Sequence, residues 1–217
     1  MKFDLVFDNL PFLFAAALVT IKITFISFVF AILIAFTVGV IRSYNTPKLI
    51  KYFLAAYVEI FRGSPLLIQL FLIYYGLPNL GIVLSSFTAA IIGLSLNCGA
   101  YMSEIVRSSI LSVDKGQNEA AFSLGYNKIQ SIWYIILPQA FRVSIPNLVN
   151  CFSALLKDSS LVSVISITEL TRVGQQIYSR TARPFEIYAT LALFYFAMTY
   201  IVSLISKHQE KKLNSAY

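Results

Sequence analysis

Charge is scarce in this sequence. Asp, Glu, Lys and Arg supply 12% of its 217 residues while hydrophobic residues supply 58%, and the mean hydropathy is +0.74. Those values exclude an ordinary water-soluble domain and define an integral membrane protein. Histidine and cysteine are nearly missing as well. The one His, His208, stands in the charged tail KHQEKK without a partner for metal binding or catalysis, and reads as solvated. The two Cys, Cys98 and Cys151, fall in apolar segments without CxxC or Cys/His spacing, so neither a zinc site nor a disulfide framework is expected and both read as small core residues. No HExxH, GxSxG or Walker glycine loop is present, and no Ser/His or paired Asp arrangement suits an intramembrane protease. The chain is read as no enzyme and as holding no cofactor; any ATP it depends on is hydrolysed by another chain.

What charge there is has a bias. Lys and Arg number 17 against 10 Asp and Glu, a formal net charge of +7. The basic residues are scattered near the ends of apolar spans and form no patch interleaved with aromatics, so nucleic acid is not an expected partner. Membrane orientation explains the excess better. The 18 Phe and 13 Tyr read as membrane core and interface belt, not as a ligand cage.

A helix rising ~1.5 Å per residue needs about 20 residues to cross the hydrocarbon. Five such spans are placed at 15–41, 54–77, 86–110, 145–167 and 186–206, giving an all-α bundle of five transmembrane helices in a single domain over 1–217. Residues 1–11, with Lys2, Asp4 and Asp8 among apolar residues, suit a short interfacial helix. Those acids, and the length of the apolar run behind them, argue against a cleaved signal peptide. The second span carries Glu59, Arg62, Gly63, Ser64 and Pro65 near its start and is expected to be one kinked helix. Neither a linker to a second domain nor an inverted internal repeat is visible.

The connections set the orientation. One side carries Arg42, Lys48, Lys51, Arg107, Lys115, Lys128, Arg142, Lys207, Lys211 and Lys212; the other carries Lys2, Arg172, Arg180 and Arg183. The positive-inside rule makes the first side cytoplasmic, with the N-terminus outside and the C-terminus inside.

Polar groups within the spans call for explanation, because a central charge costs about 2.5–3.5 kcal/mol on insertion scales. Lys157 and Asp158 fall at the middle of the fourth span in LLKDSSLVSVI, with Ser159, Ser160 and Ser163 beside them. Neighbours on a helix point about 100° apart, so each of the two meets another helix, a second subunit or water. They form a structural ion pair with other helices or line a translocation path. The third span brings Asn97, Ser103, Glu104 and Arg107, of which Glu104 and Arg107 can pair along one face; Gly93, Gly99 and Ala100 permit close helix packing. Gln69, in the second span, is either a cavity-lining group or an interhelical hydrogen bond.

The longest polar interval, about 112–140, contains EAAFSLGYNKIQSIWYIILP from Glu119 to Pro138. It reads as two short helices: the first from about Asn118, as N-cap, to Leu124, ended by a left-handed Gly125. The second presents a face of Ile129, Ile132, Trp133 and Ile136, with a stop or kink at Pro138.

Glu119, Ala120, Ala121, Gly125, Ile135, Leu137 and Pro138 match, without a gap, the EAA loop of permease subunits in ATP-binding-cassette importers. The segments FRGSPLLIQLFLIYYGLP (61–78), GAYMSEIVRSSI (99–110), VDKGQNEAA (113–121), LPQAFR (137–142) and LLKDSSLVSVI (155–165) are similar to the polar amino acid permeases, whose members carry histidine, arginine, glutamine and cystine. The resemblance runs from the first span to the end of the fifth. Ser64 and Ser159 depart from a common Thr but keep the hydroxyl. The resemblance implies the fold of a type I importer permease in a bacterial cytoplasmic membrane. It also implies a second permease subunit, identical or sister, and an extracytoplasmic amino-acid-binding protein. Two ABC ATPase subunits would hold ATP and Mg and dock on the EAA loop. Lys157, Asp158, Ser160, Gln69, Asn97 and Glu104 are the candidate pathway residues. A permease for sulfur compounds or opines and a channel or scaffold without an ATPase are the competing readings. The sequence does not name the amino acid.

Overall fold

A computed structural model describes the backbone of residues 4–44 and 46–214. Lys2 lies outside the described residues, as do the side chains of His208, Lys211 and Lys212. Every regular element among the described residues is helical: α1 (Asp4–Ser43), α2 (Lys48–Gly63), α3 (Leu66–Phe71), α4 (Ser86–Leu111), α5 (Lys115–Ser123), α6 (Lys128–Ser131), α7 (Leu137–Asp158), α8 (Leu170–Thr181) and α9 (Pro184–Asn214). Two π-helical turns, Leu72–Gly76 and Ile132–Ile136, and two 3-10 segments, Leu77–Leu80 and Ser159–Ile165, extend them.

Helix is what this composition dictates, because a chain in lipid has no water to satisfy its backbone and must bond it internally. Four stretches are long and apolar enough to cross a membrane: Leu5–Ser43, Ser86–Leu111, Lys128–Ile165 and Pro184–Lys207. Taken as one unit, the bent pair Lys48–Gly63 and Leu66–Leu80 is a fifth candidate by the same measure.

Several expectations need correction. The second span is not one kinked helix: the chain bends by 109° between α2 and the Leu66–Leu80 stretch that α3 opens. Ser64, held extended at φ −123° and ψ 150° ahead of Pro65, breaks the helix outright. The described part of the interfacial segment is not separate either, since α1 runs from Asp4 straight through Pro11. The helix that carries the fourth span starts well before 145, because α6, the π turn and α7 run on as one helix from Lys128 to Asp158 and into the 3-10 segment that ends at Ile165. Finally, α8 was not foreseen. Its Leu170, Val173, Gly174 and Ile177 are buried at helical spacing, a signal hidden in a short segment rich in polar residues.

The packing centre is α4, laid against α1. A Cβ on Gly39 would stand 2.8 Å from the Ser103 carbonyl and 2.9 Å from Val106, and one on Gly99 would stand 2.9 Å from Ile34. Small residues thus set the approach of the two backbones. A second core, at the end opposite the 112–140 hairpin, joins Leu13 and Ala17 of α1 to Leu170 and Ile177 of α8 and Ile187 and Leu191 of α9.

Glu169 ties that second core together. It is fully buried, at 0% exposure, and caps α8 by accepting from the Arg172 N–H at 2.8 Å. Its other oxygen accepts from the Tyr195 hydroxyl at 3.0 Å and the Thr20 hydroxyl at 3.4 Å, so one carboxyl bridges α1, α8 and α9. Burial pushes this carboxyl above the ordinary carboxylate range, although the Thr171 and Arg172 N–H groups and the two hydroxyls pull it down. A raised folded value means that the native state holds the proton more tightly than the unfolded chain. Its stabilising contribution is complete below the ordinary carboxylate range and is lost as pH rises through the raised value. Thermal midpoints of the purified protein across that window will therefore fall with rising pH, and Glu169→Gln, which mimics the protonated acid, will flatten that part of the profile.

Candidate functional site

Breaking a helix inside a membrane leaves carbonyls without intrahelical partners. Here side chains supply the donors. Gln69 Nε2 lies 2.9 Å from the Phe61 carbonyl, 3.0 Å from the Ser64 carbonyl and 2.9 Å from the Ser64 hydroxyl. Asn97 Nδ2 donates to the Phe61 carbonyl and to Gln69 Oε1, both at 3.0 Å. Tyr101 donates to the Arg62 carbonyl at 3.2 Å. Gln69 is buried and is consumed by this knot.

The break also opens a cavity of about 350 Å³. Ser64 and Pro65, Asn97 and Tyr101 of α4, and Cys151 and Asp158 of α7 line it. Three segments distant in sequence therefore bring a carboxylate, an amide, hydroxyls and a thiol around one space. Asp158 is exposed at this wall; Lys157 is exposed too but lies outside the cavity lining. Among the described residues neither forms an ion pair. Ser160 is half-buried on the 3-10 segment beyond, also outside the lining.

Glu104 stands apart. Its carboxylate pairs with Arg42 of α1 and accepts from Arg107 Nε and Nη2 at 3.1 and 3.0 Å. The Arg107 pairing was legible from spacing, whereas Arg42, far away in sequence, was not. The triad fastens α1 to α4 near the hairpin and does not border the cavity.

The hairpin itself begins one turn earlier than expected. Asp114, not Asn118, caps α5 by accepting from the Gly116 N–H at 2.6 Å, and Asn118 instead accepts from the Ser131 hydroxyl of α6 at 2.5 Å. Gly125 does take the left-handed conformation, φ 83°. Its N–H bonds to the Phe122 carbonyl and that of Tyr126 to the Ala121 carbonyl, each at 3.0 Å, which closes the helix end. Asn127 and Gln130 then open α6 with a reciprocal capping box. Ala121 is buried, whereas Glu119 and Ala120 face solvent.

Pro138 does not stop the second helix. It lies just past the π turn Ile132–Ile136, in which the Leu137 N–H reaches back to the Ile132 carbonyl. That wider turn admits one extra residue, and so rotates the downstream helix by about 100°. The expected face is split as a result: Ile136 is buried, while Ile129 and Trp133 are 68% and 65% exposed. Ile135 and Leu137 are half-buried and Pro138 is exposed. Phe122, Leu124, Ile129, Trp133 and Tyr134 leave the hairpin with a broad uncovered apolar surface.

A helical membrane bundle with a polar cavity at a broken span and an apolar hairpin at one end is built as a transport subunit. The chain belongs to the family described as binding-protein-dependent transport system inner membrane component, which matches residues 27–215. It is thus a multi-pass permease subunit of such a system. It is 41% identical over 205 residues to the L-cystine transport system permease protein TcyB of Bacillus subtilis (strain 168), covering 94% of this chain and 87% of that one. It is 33% identical over 217 residues to the glutamine transport system permease protein GlnP of Escherichia coli (strain K12), covering 98% and 99%. The solved structure titled "Crystal structure of an amino acid ABC transporter with histidines" superposes with a TM-score of 0.92 at 38% identity, covering 98% of this chain and 99% of that one.

Replacing Gln69 by Leu strands the Ser64 carbonyl and the Asn97 N–H that Gln69 accepts, and leaves the Phe61 carbonyl to Asn97 alone. The expected loss is about 1–3 kcal/mol of stability, read as a lowered thermal midpoint in detergent, with Gln69→Glu falling too because it loses the donor.

Proposed function

We propose that this permease carries a polar amino acid across a bacterial cytoplasmic membrane, with the N-terminus outside and the hairpin and C-terminus in the cytoplasm. A solute-binding protein delivers the amino acid on the outside, and a second permease subunit completes the path. Two separate ATPase subunits hold ATP and Mg and do the hydrolysis. The excess of basic residues on the hairpin side supports the orientation. The substrate class draws on the relatives, which include permeases for cystine and glutamine.

The observation that carries this reading is the cavity at the Ser64–Pro65 break. Every amino acid presents an ammonium group, and Asp158 offers a carboxylate at a wall that also holds the Asn97 amide. Asp158 is the substrate-contacting group in this account. Asn97 lines the wall and braces it, Gln69 and Glu104 hold the frame, and Lys157 and Ser160 meet groups outside this chain's cavity. Removal of one charged hydrogen bond is worth about 1.5–3 kcal/mol. Asp158→Asn is therefore expected to lower uptake roughly ten- to hundredfold in reconstituted vesicles while leaving the thermal midpoint in place. Unchanged uptake and unchanged substrate preference would remove Asp158 from the pathway.

The hairpin is the coupling element. Its exposed Glu119 and Ala120, with Phe122 and Leu124, offer a docking surface for an ATPase. Gly125 holds the turn behind that surface, and nothing lies within 4 Å of a Cβ placed there. A side chain at 125 is therefore opposed by backbone conformation and not by crowding, at roughly 1–2 kcal/mol. Gly125→Val is expected to leave the chain in the membrane but to abolish ATP hydrolysis stimulated by the loaded binding protein. The complex purified in mild detergent, assayed with individual amino acids, tests this and names the substrate. A chain that purifies without any ATPase favours a channel or scaffold.

A further inference from the structure

Only one face of α2 packs against its own chain. Tyr57 donates to the Leu96 carbonyl of α4 at 2.7 Å, Val58 is fully buried, and the Phe61 carbonyl accepts from Asn97. The opposite face carries Ala55, Ala56, Glu59, Arg62 and Gly63, which recur at i, i+4 and i+7. Glu59, Arg62 and Gly63 are exposed, and a Cβ on Gly63 would meet nothing within 4 Å. Small residues beside open space admit a second helix at short range.

The charges on this face have no partners in the chain. Glu59 and Arg62 stand one turn apart, yet neither forms an ion pair, with the other or with any other described residue. Arg62 lies instead over the Tyr101 ring, 5.4 Å from its centroid. Phe53 and Ile60, on the flank of the same helix, are 64% and 63% exposed, so the charges sit beside apolar surface and not on an evenly polar one. Unpaired charge in a stretch that counts as a membrane candidate calls for a partner. A carboxylate and a guanidinium one turn apart are complementary to themselves: about a two-fold axis, residue i meets j and j meets i.

We propose that this face of α2 is where the permease meets a second copy of itself, each Glu59 pairing with the Arg62 of the other copy. The inference rests on the second permease subunit proposed above and gives it a place. Tyr101, on which Arg62 lies, lines the cavity at the Ser64–Pro65 break, so the contact adjoins the transport cavity of each copy.

The test uses two differently tagged full-length chains, coexpressed and extracted in mild detergent, with capture of one tag read by the yield of the other. The unaltered chain is expected to capture itself. Glu59→Arg alone sets four cations in the contact and Arg62→Glu alone sets four carboxylates there, so each is expected to lower self-capture at least about tenfold. A Glu59→Arg chain coexpressed with an Arg62→Glu chain restores opposite charges at both pairs and should recover most of the yield, a rescue in trans that a role within one chain does not produce. Where a charge variant fails to reach the membrane, crosslinking decides. With Cys98 and Cys151 replaced by Ala, oxidation should join a Glu59→Cys chain to an Arg62→Cys chain. No self-capture by the unaltered chain, undiminished capture in the single variants, or no rescue in trans would overturn the proposal. So would failure of the crosslink, or equal crosslinking between Leu193→Cys chains through the exposed side of α9. Capture needs no ATPase, so copies that pair as predicted but bind no ATPase would count against the transport reading and leave this contact standing.

Discussion

Every backbone donor and acceptor in the membrane must find a partner within the protein, and the Ser64–Pro65 break is where this chain comes nearest to failing that demand. Pro65 brings no N–H, and the end of α2 leaves the Phe61, Arg62 and Ser64 carbonyls without helical donors. Gln69, Asn97 and Tyr101 restore the balance from α3 and α4. Once these bonds are made, the 109° bend becomes a fixed feature, and the cavity beside it has stable walls. The polar side chains of this region serve the backbone first and a solute second.

The same demand explains two other irregularities. Both π turns, Leu72–Gly76 and Ile132–Ile136, lead into Leu-Pro, at Leu77-Pro78 and Leu137-Pro138. A proline within a helix clashes with the carbonyl four residues back. A wider turn ahead of it moves that carbonyl aside, so the chain continues as a helix where a proline would otherwise end it. The hairpin and α7 thereby become one rod, and an apolar residue such as Trp133 is rotated out of the core.

This accounts for what could be read from residues alone. Hydropathy located the apolar stretches, because lipid burial depends on composition over some twenty positions, and the third span was placed within a residue of α4. The Gly125 turn was legible because only a left-handed residue closes such an end. Phase was not legible: the face built on Ile129 and Trp133 assumed an unbroken 3.6-residue period, and one extra residue in a π turn defeats it. The Arg42–Glu104 pair and the three-helix role of Glu169 were hidden as well, since each joins residues that only the folded chain brings together. Of the candidate pathway residues, the fold gathers Asn97 and Asp158 at one cavity with Gln69 bracing it. Glu104, Lys157 and Ser160 fall elsewhere, a separation that spacing along single helices does not reveal.

The rod also gives the proposed transport cycle its mechanical logic. From α6 the chain runs without a break through the π turn and α7 to Asp158, where 3-10 geometry takes over. The Ser131–Asn118 hydrogen bond joins the base of the rod to α5, so a force on the hairpin reaches the rod directly. The Arg42–Glu104–Arg107 triad meanwhile keeps α1 and α4 together at the same end. A displacement at the hairpin would then move the Asp158 wall relative to the Asn97 wall, and the cavity would change shape between its two sides without loss of the bonds that hold the break.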